Sequence, residues 1–260
     1  MQKDSIGQSI KIILGICLIC SFLVSSAAVF LNSIQQENRR LDKVRNILIA
    51  GDLYADGIDI DATYRQKIEP LMIELLTGGR IGADQFNNTL NINNFDIQTF
   101  STDPEYGETI PIDEDVAKIK WRPRHMVVYF VKTGDRIHKL ILPVYGKGLW
   151  STLYGFMALD SDLKTVTGIT FYQHGETPGL GGEVDNPRWK NQWKGKQAFD
   201  EQGKVIIKVI RGSVEPLSIN TGHQIEGLSG ATITSRGVNN LVVYWLGEKG
   251  YGPFLTRLRR

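Results

Sequence analysis

Ile12 to Leu31 is a run of 20 residues without a charge, and no other stretch constrains the fold as tightly. As a helix it is long enough to cross a hydrocarbon core of about 30 Å. A cleaved signal peptide is the competing reading, since Ser25-Ser26-Ala27 resembles a cleavage site. Signal h-regions run to about 15 residues at most, so the length favours a retained anchor. A lipoprotein signal is disfavoured because isoleucine, Ile16 or Ile19, precedes each cysteine where a small residue is needed. Cys17 and Cys20 have the C-x-x-C spacing of redox or metal sites. Within a lipid-spanning helix they read as small apolar fillers, and the rest of the chain has no cysteine for a disulfide or a thiolate ligand.

The predicted order is a tail over residues 1–11, a transmembrane helix over 12–31, an amphipathic arm over 32–51 and a domain over 52–260. Leu41, Val44 and Leu48 give the arm its helical spacing. Lys3 and Lys11 lie on one side of the span and Arg39, Arg40, Lys43 and Arg45 on the other. Taken literally, the positive-inside rule puts the domain in the cytoplasm, although large domains can override it. The net charge of +2, with basic residues dispersed, argues against nucleic acid as a partner.

Asp56 to Asp61 has an acidic alternation that fails the EF-hand order. It is predicted as a turn with Asp61 capping a helix from Thr63 to Leu76. Strands are predicted at Met126–Val131 and Ile137–Val144 around a Thr133-Gly134-Asp135 hairpin turn. Further strands are predicted at Gly155–Leu159, Val166–Tyr172 and Val205–Ile210. Helices on both sides complete an α+β domain around a mainly antiparallel sheet.

Three loops carry the functional signal. In Glu226 to Ser235, two glycines and four hydroxyl residues precede a helical face of Val238, Leu241, Val242 and Trp245. Ser235 is the predicted N-cap, with Thr234 as second choice. A glycine-rich loop entering a helix is an anion site in waiting, because the first-turn N–H groups lack partners. With no lysine in the stretch it is not a P-loop, and Ala231 replaces the last glycine of the G-x-S-x-G elbow. An ordinary capped junction remains open at this point. The other two loops are Gly146 to Ser151 and His174 to Glu183, where clustered glycines let backbone approach a flat ligand. Singly, each reads as a surface turn.

Gly227 to Thr232, preceded by Glu226, resembles the attachment sequence of covalent FMN proteins, in which a flavin transferase joins the FMN phosphate to a threonine hydroxyl. The acidic position, more often aspartate, is glutamate here. In order, Gly-Lys-Gly-Leu-Trp-Ser, Glu-Thr-Pro-Gly-Leu-Gly and Ser-Gly-Ala-Thr resemble the covalent-FMN subunits of membrane electron-transport complexes. Those are the C subunit of sodium-translocating NADH:quinone oxidoreductases and the G subunit of Rnf ferredoxin:NAD complexes. Val24–Val29, Gln35–Asn38, Leu41 to Leu48 and Tyr251–Leu255 look like the former, and the resemblance is weakest over Ile81–Arg122.

The resemblance implies FMN on Thr232 within a loop that includes Ser229, Gly230 and Ala231. On the residues' own chemistry, the glycine-rich Glu176 to Gly182 loop, with Glu176, Thr177, Gly179, Leu180 and Gly181, is expected to lie against the isoalloxazine ring. Lys147 is either a further anion partner or a solvated lysine, and Trp150 is assigned to the core. His174 either bonds the flavin or is satisfied within its loop. His125, His138 and His223 are scattered, without metal-ligand spacing. Implied partners are the other subunits of the complex, membrane lipid and, during maturation, a flavin transferase. Electrons would be relayed singly, with NADH oxidised on another subunit and ubiquinone as the complex's acceptor. The implied location is the bacterial inner membrane with the domain periplasmic, against the literal charge count. Two other readings stand beside it. One is a membrane-anchored hydrolase with Ser229 as nucleophile and His174 or His223 as base; the other is a non-enzymatic scaffold.

Overall fold

The computed structural model describes residues 6–134 and 136–259; Lys3, Asp135 and the whole of the expected tail before Ile6 lie outside the described residues. The chain divides into two compact units, Met1–Lys43 and Val44–Arg260. The first unit holds most of α1, Ile6–Ala50. Its apolar side chains, Leu18, Phe22 and Phe30 among them, are exposed all along the predicted span. The helix is long and apolar enough to cross a membrane, with none of the apolar window buried. After that window Arg40 pairs with Glu37 one turn away, at 2.7 Å.

The second unit begins with the last two turns of α1, where Val44, Ile47, Leu48 and Ala50 are buried. There follow α2 (Ile60–Lys67), β1 (Ile68–Glu74), α3 (Ile97–Thr102), β2 (Gly107–Thr109) and β3 (Trp121–Pro123). Four long strands come next: β4 (His125–Thr133), β5 (Arg136–Lys147), β6 (Thr152–Asp160) and β7 (Val166–Gln173). The chain closes with α4 (Pro187–Asn191), β8 (Lys208–Ile210), β9 (Gln224–Glu226), α5 (Thr232–Leu246) and α6 (Gly252–Leu258). The main sheet has the order β1-β4-β5-β6-β7, antiparallel throughout. This is the expected α+β domain with an antiparallel sheet and flanking helices.

Helix α5 is fixed along β5. The Trp245 indole N–H donates to the Tyr145 carbonyl at 2.7 Å, and the Tyr251 hydroxyl donates to the Pro143 carbonyl at 2.7 Å. Val238, Leu241, Val242 and Trp245 are buried, as their spacing predicts. Burying side chains of that size contributes roughly 1.5–3 kcal/mol each before entropy is counted.

Three local expectations are corrected. The cap before α2 is Asp59, whose carboxylate accepts from the Ala62 N–H at 2.9 Å, and Asp61 sits within the first turn. The helix ends at Lys67, and Ile68–Glu74 turns into strand β1 paired with β4. Pro70 has no N–H for a helix interior, but an edge strand accepts it. In the predicted Val205–Ile210 strand only Lys208–Ile210 is regular, and it pairs parallel with β9 outside the main sheet.

Candidate functional site

The β5–β6 hairpin turns through Gly148–Ser151 at the sheet end where β7 also finishes, because β6 is antiparallel to both neighbours. The first turn of α5 is bonded to the same place. Its link is Glu176, which is 5% exposed. The Glu176 carboxylate accepts from the backbone N–H groups of Leu149, Trp150 and Ser151 at 3.2, 2.9 and 3.1 Å. It also accepts from the Thr234 hydroxyl at 2.6 Å and more weakly from the Ser151 hydroxyl at 3.4 Å. Burial works to raise the pKa of this carboxyl, but the Thr234 hydroxyl and three amides hold it below its ordinary value. Glu176 is therefore ionised and saturated with donors inside the protein.

The turn Thr177–Leu180 follows. The Leu180 N–H donates to the Thr177 carbonyl at 3.1 Å, with Pro178 and Gly179 between them and Gly179 at φ 75°. That is the type II geometry its Pro-Gly pair predicts. Thr177, Gly179 and Leu180 are exposed, whereas Gly181 is buried against the Glu176–Thr234 pair. The Leu180 side chain reaches the Glu226–Ser235 loop: a Cβ on Gly230 would meet Leu180 Cδ2 at 3.0 Å.

Helix α5 starts at Thr232, earlier than expected, and its N-cap is Ala231, which offers no side-chain cap. Ser235 lies inside the first turn rather than at the cap. Its hydroxyl accepts from the Leu228 N–H at 2.8 Å and donates to the Ala231 carbonyl at 3.0 Å. Thr234 likewise points inward, to Glu176. Thr232 is exposed, with Ser229 and Gly230 exposed beside it and Ala231 buried. A cleft of about 700 Å³ opens next to Thr232, with Lys208, Arg211 and Arg236 among its lining residues. A cleft of similar size, about 740 Å³, lies at the far end of α5 around Val243 and Arg257, away from all three loops.

The remaining expectations divide. The Lys147 ammonium donates to the Trp150 carbonyl at 3.1 Å, which ties it to its own turn. Trp150 is 66% exposed, contrary to its assignment to the core. The turn's amides bond Glu176 and its carbonyl bonds Lys147, so the indole is left facing outward. His174 has local partners. Its Nε2 lies 2.7 Å from Asp185 Oδ2 and its Nδ1 accepts from the Glu176 N–H at 3.2 Å. Among the described residues neither His174 nor His223 hydrogen-bonds Ser229, so the geometry gives the hydrolase reading no base for its nucleophile. Glu226, the acidic residue of the loop, accepts from the Val214 N–H at 3.1 Å and anchors the segment that walls the cleft. The Glu176–Thr234 bond and the three basic residues of the cleft carry no spacing signal in the sequence.

Comparison with known proteins agrees with this geometry. Residues 148–247, from the β5–β6 turn to just past α5, match the FMN-binding domain family. The C subunit of the Na(+)-translocating NADH-quinone reductase of Pseudomonas aeruginosa is 44% identical, over 100% of this chain and 98% of that protein. The chain belongs to this C-subunit family. The Yersinia pestis protein of the same name is 43% identical over 99% of this chain and 95% of that one. Among solved structures, the crystal structure of Shewanella oneidensis NqrC matches with a TM-score of 0.76 and 34% identity. It covers 86% of this chain and 99% of that one. Of the two covalent-FMN families that the loops resemble, these matches select the sodium-translocating reductase over the Rnf complex. Chains of this family are subunits of an oxidoreductase complex, and this one carries its FMN-binding domain after an N-terminal apolar helix.

Proposed function

We propose that this chain holds FMN in phosphoester linkage on Thr232 and passes electrons within a membrane-bound Na(+)-translocating NADH-quinone reductase. The observation that carries the reading is an exposed threonine, Thr232, at the first position of a helix whose N-cap side chain makes no capping hydrogen bond. The first-turn N–H groups there are left for another acceptor. A phosphodiester retains one negative charge, and a helix N-terminus favours such a charge by about 0.3–1 kcal/mol at an exposed site. Lys208, Arg211 and Arg236 add positive charge from the cleft. The nearby carboxylates are already engaged, Glu176 by its five donors and Glu226 by the Val214 N–H. The residues therefore fit a tethered flavin phosphate.

When bound, FMN supplies reversible one-electron chemistry. The protein's part is to hold it, tune it and keep it from being lost. Thr232 provides the tether, and Ser229 and Gly230 keep the backbone beside it open. Thr177, Gly179 and Leu180 present an exposed turn next to that loop. NADH oxidation belongs to another subunit in this reading, and the partners are the complex's other subunits, lipid around α1 and a flavin transferase. In this reading the domain lies on the periplasmic side of the inner membrane, since a domain of this size can translocate despite flanking charge. Thr232→Val removes the hydroxyl and keeps the shape. It is expected to abolish flavin fluorescence on a denaturing gel while the near-UV spectrum of the domain is retained. Fluorescence persisting in that variant would refute the linkage.

A further inference from the structure

We propose that Glu176 is a positioning residue for flavin attachment, acting through Thr234 to present the Thr232 hydroxyl outward. The inference rests on the proposed attachment at Thr232. Helix α5 begins without a side-chain cap, so no N-cap side chain accepts from the N–H groups of its first turn. A tertiary contact replaces the cap. The Thr234 hydroxyl, 1% exposed, donates to a Glu176 carboxylate oxygen at 2.6 Å. That carboxylate is itself immobilised by the amides of Leu149, Trp150 and Ser151.

Helix geometry converts this contact into an orientation. Residues two apart on an α-helix point about 200° from one another. Pinning Thr234 inward therefore turns Thr232 outward, as its exposure shows. A frayed first turn would let either threonine rotate and would remove the row of N–H groups behind the Thr232 oxygen. The Ser235 hydroxyl, in the first turn, bonds back to the preceding loop, to Leu228 and Ala231, and does not reach the β5–β6 turn. At the first turn of α5 the link to the β5–β6 turn is the Glu176–Thr234 bond.

The reaction served is a phosphoryl transfer from a flavin phosphoanhydride held by the transferase. The Thr232 oxygen forms a bond to the flavin-proximal phosphorus, and the anhydride P–O bond breaks. The nucleoside monophosphate leaves, and the hydroxyl proton passes to a base of the transferase. Glu176 touches none of these atoms. It sets where the accepting oxygen stands, and for such a step placement is worth a large part of the rate.

The test uses the full-length chain co-expressed with its flavin transferase. Covalent flavin is followed over time by in-gel fluorescence, and the modified residue is located by mass spectrometry. The parent is expected to be labelled on Thr232. Thr234→Val is expected to slow labelling about tenfold or more, the scale of losing one hydrogen bond to a charged group. Thr234→Ser, which keeps the hydroxyl, is expected to restore the parent rate within about twofold. Glu176→Gln is expected to slow labelling like Thr234→Val, with the double variant no slower than the slower single one. Circular dichroism confirms that each compared variant is folded; if Glu176→Gln does not fold, the Thr234 pair decides. Labelling of folded Thr234→Val at the parent rate overturns the inference, as does Thr234→Ser as slow as valine. A parent without FMN on Thr232 overturns the attachment reading itself, an outcome distinct from those two.

Discussion

Gly181→Ala tests the buried knot on which the site is built. A Cβ at this position would lie 2.6 Å from the Thr234 hydroxyl oxygen and 2.7 Å from a Glu176 carboxylate oxygen. Both distances are shorter than side-chain carbons tolerate, so one partner must move and their 2.6 Å hydrogen bond must lengthen. Overpacking costs about 1–3 kcal/mol. A lost hydrogen bond to a buried charge costs about 1.5–3 kcal/mol. The sum is roughly 3–5 kcal/mol, or about 6–20 °C in Tm for a unit of this size. Gly179→Ala is the internal control, two residues away. Gly179 has φ 75° and open space around its position, so the methyl group meets only backbone strain. That strain costs about 1–2 kcal/mol. Thermal unfolding of the full-length protein in detergent, followed by near-UV circular dichroism, separates the two. Gly181→Ala melting within about 2 °C of Gly179→Ala would refute the reasoning, because the knot would then not resist displacement.

Two other predictions follow from the structure and a third from the proposed topology. Asp52 lies 2.8 Å from both Lys139 and Lys194. Burial works to raise its pKa, but the two lysines outweigh it and the folded value is lowered. Its stabilisation is therefore present above the unfolded value of about 4 and is lost as pH falls through the folded one. Half-exposed as the group is, Asp52→Asn should cost less than about 1 kcal/mol at pH 7. The Tm gap between parent and variant should close in acid, and a gap unchanged down to about pH 2.5 counts against it. The His174 pKa is raised by its hydrogen bond to Asp185, against burial. The associated stabilisation is present below the unfolded value of about 6.5 and fades as pH rises through the folded one. Asp185→Asn should lower the His174 titration midpoint seen by NMR, and an unmoved midpoint would contradict the pairing. A C-terminal alkaline phosphatase fusion should be active if the domain is periplasmic, whereas an inactive fusion would favour the literal charge count around α1.

Much of the architecture was legible because it rests on short-range periodicity. Val238, Leu241, Val242 and Trp245 mark one helix face, and the β-rich runs from Met126 to Tyr172 supply four consecutive antiparallel strands. Ile68–Glu74 was not legible as a strand, because its pairing with β4 is a tertiary choice that its own apolar spacing does not express. Ser235 has the chemistry of a cap, yet its hydroxyl is taken up by Leu228 and Ala231 one turn inside the helix. Trp150 looks like core material by type. It is exposed because its backbone, not its ring, is what the protein holds. The three loops could be grouped by resemblance, but not the reason they meet. One carboxylate, Glu176, bonds residues from the β5–β6 turn and from α5, and nothing in the sequence spacing marks it.

Peptide mapping of protein from its native host tests the central claim most directly. Trypsin cleaves after Arg211 and Arg236, so one peptide, Gly212 to Arg236, holds Ser229, Thr232, Thr234 and Ser235 together. This peptide is expected to be heavier by FMN less one water, with fragment ions placing the addition on Thr232. An unmodified peptide, or FMN located on Ser229, Thr234 or Ser235, would contradict it.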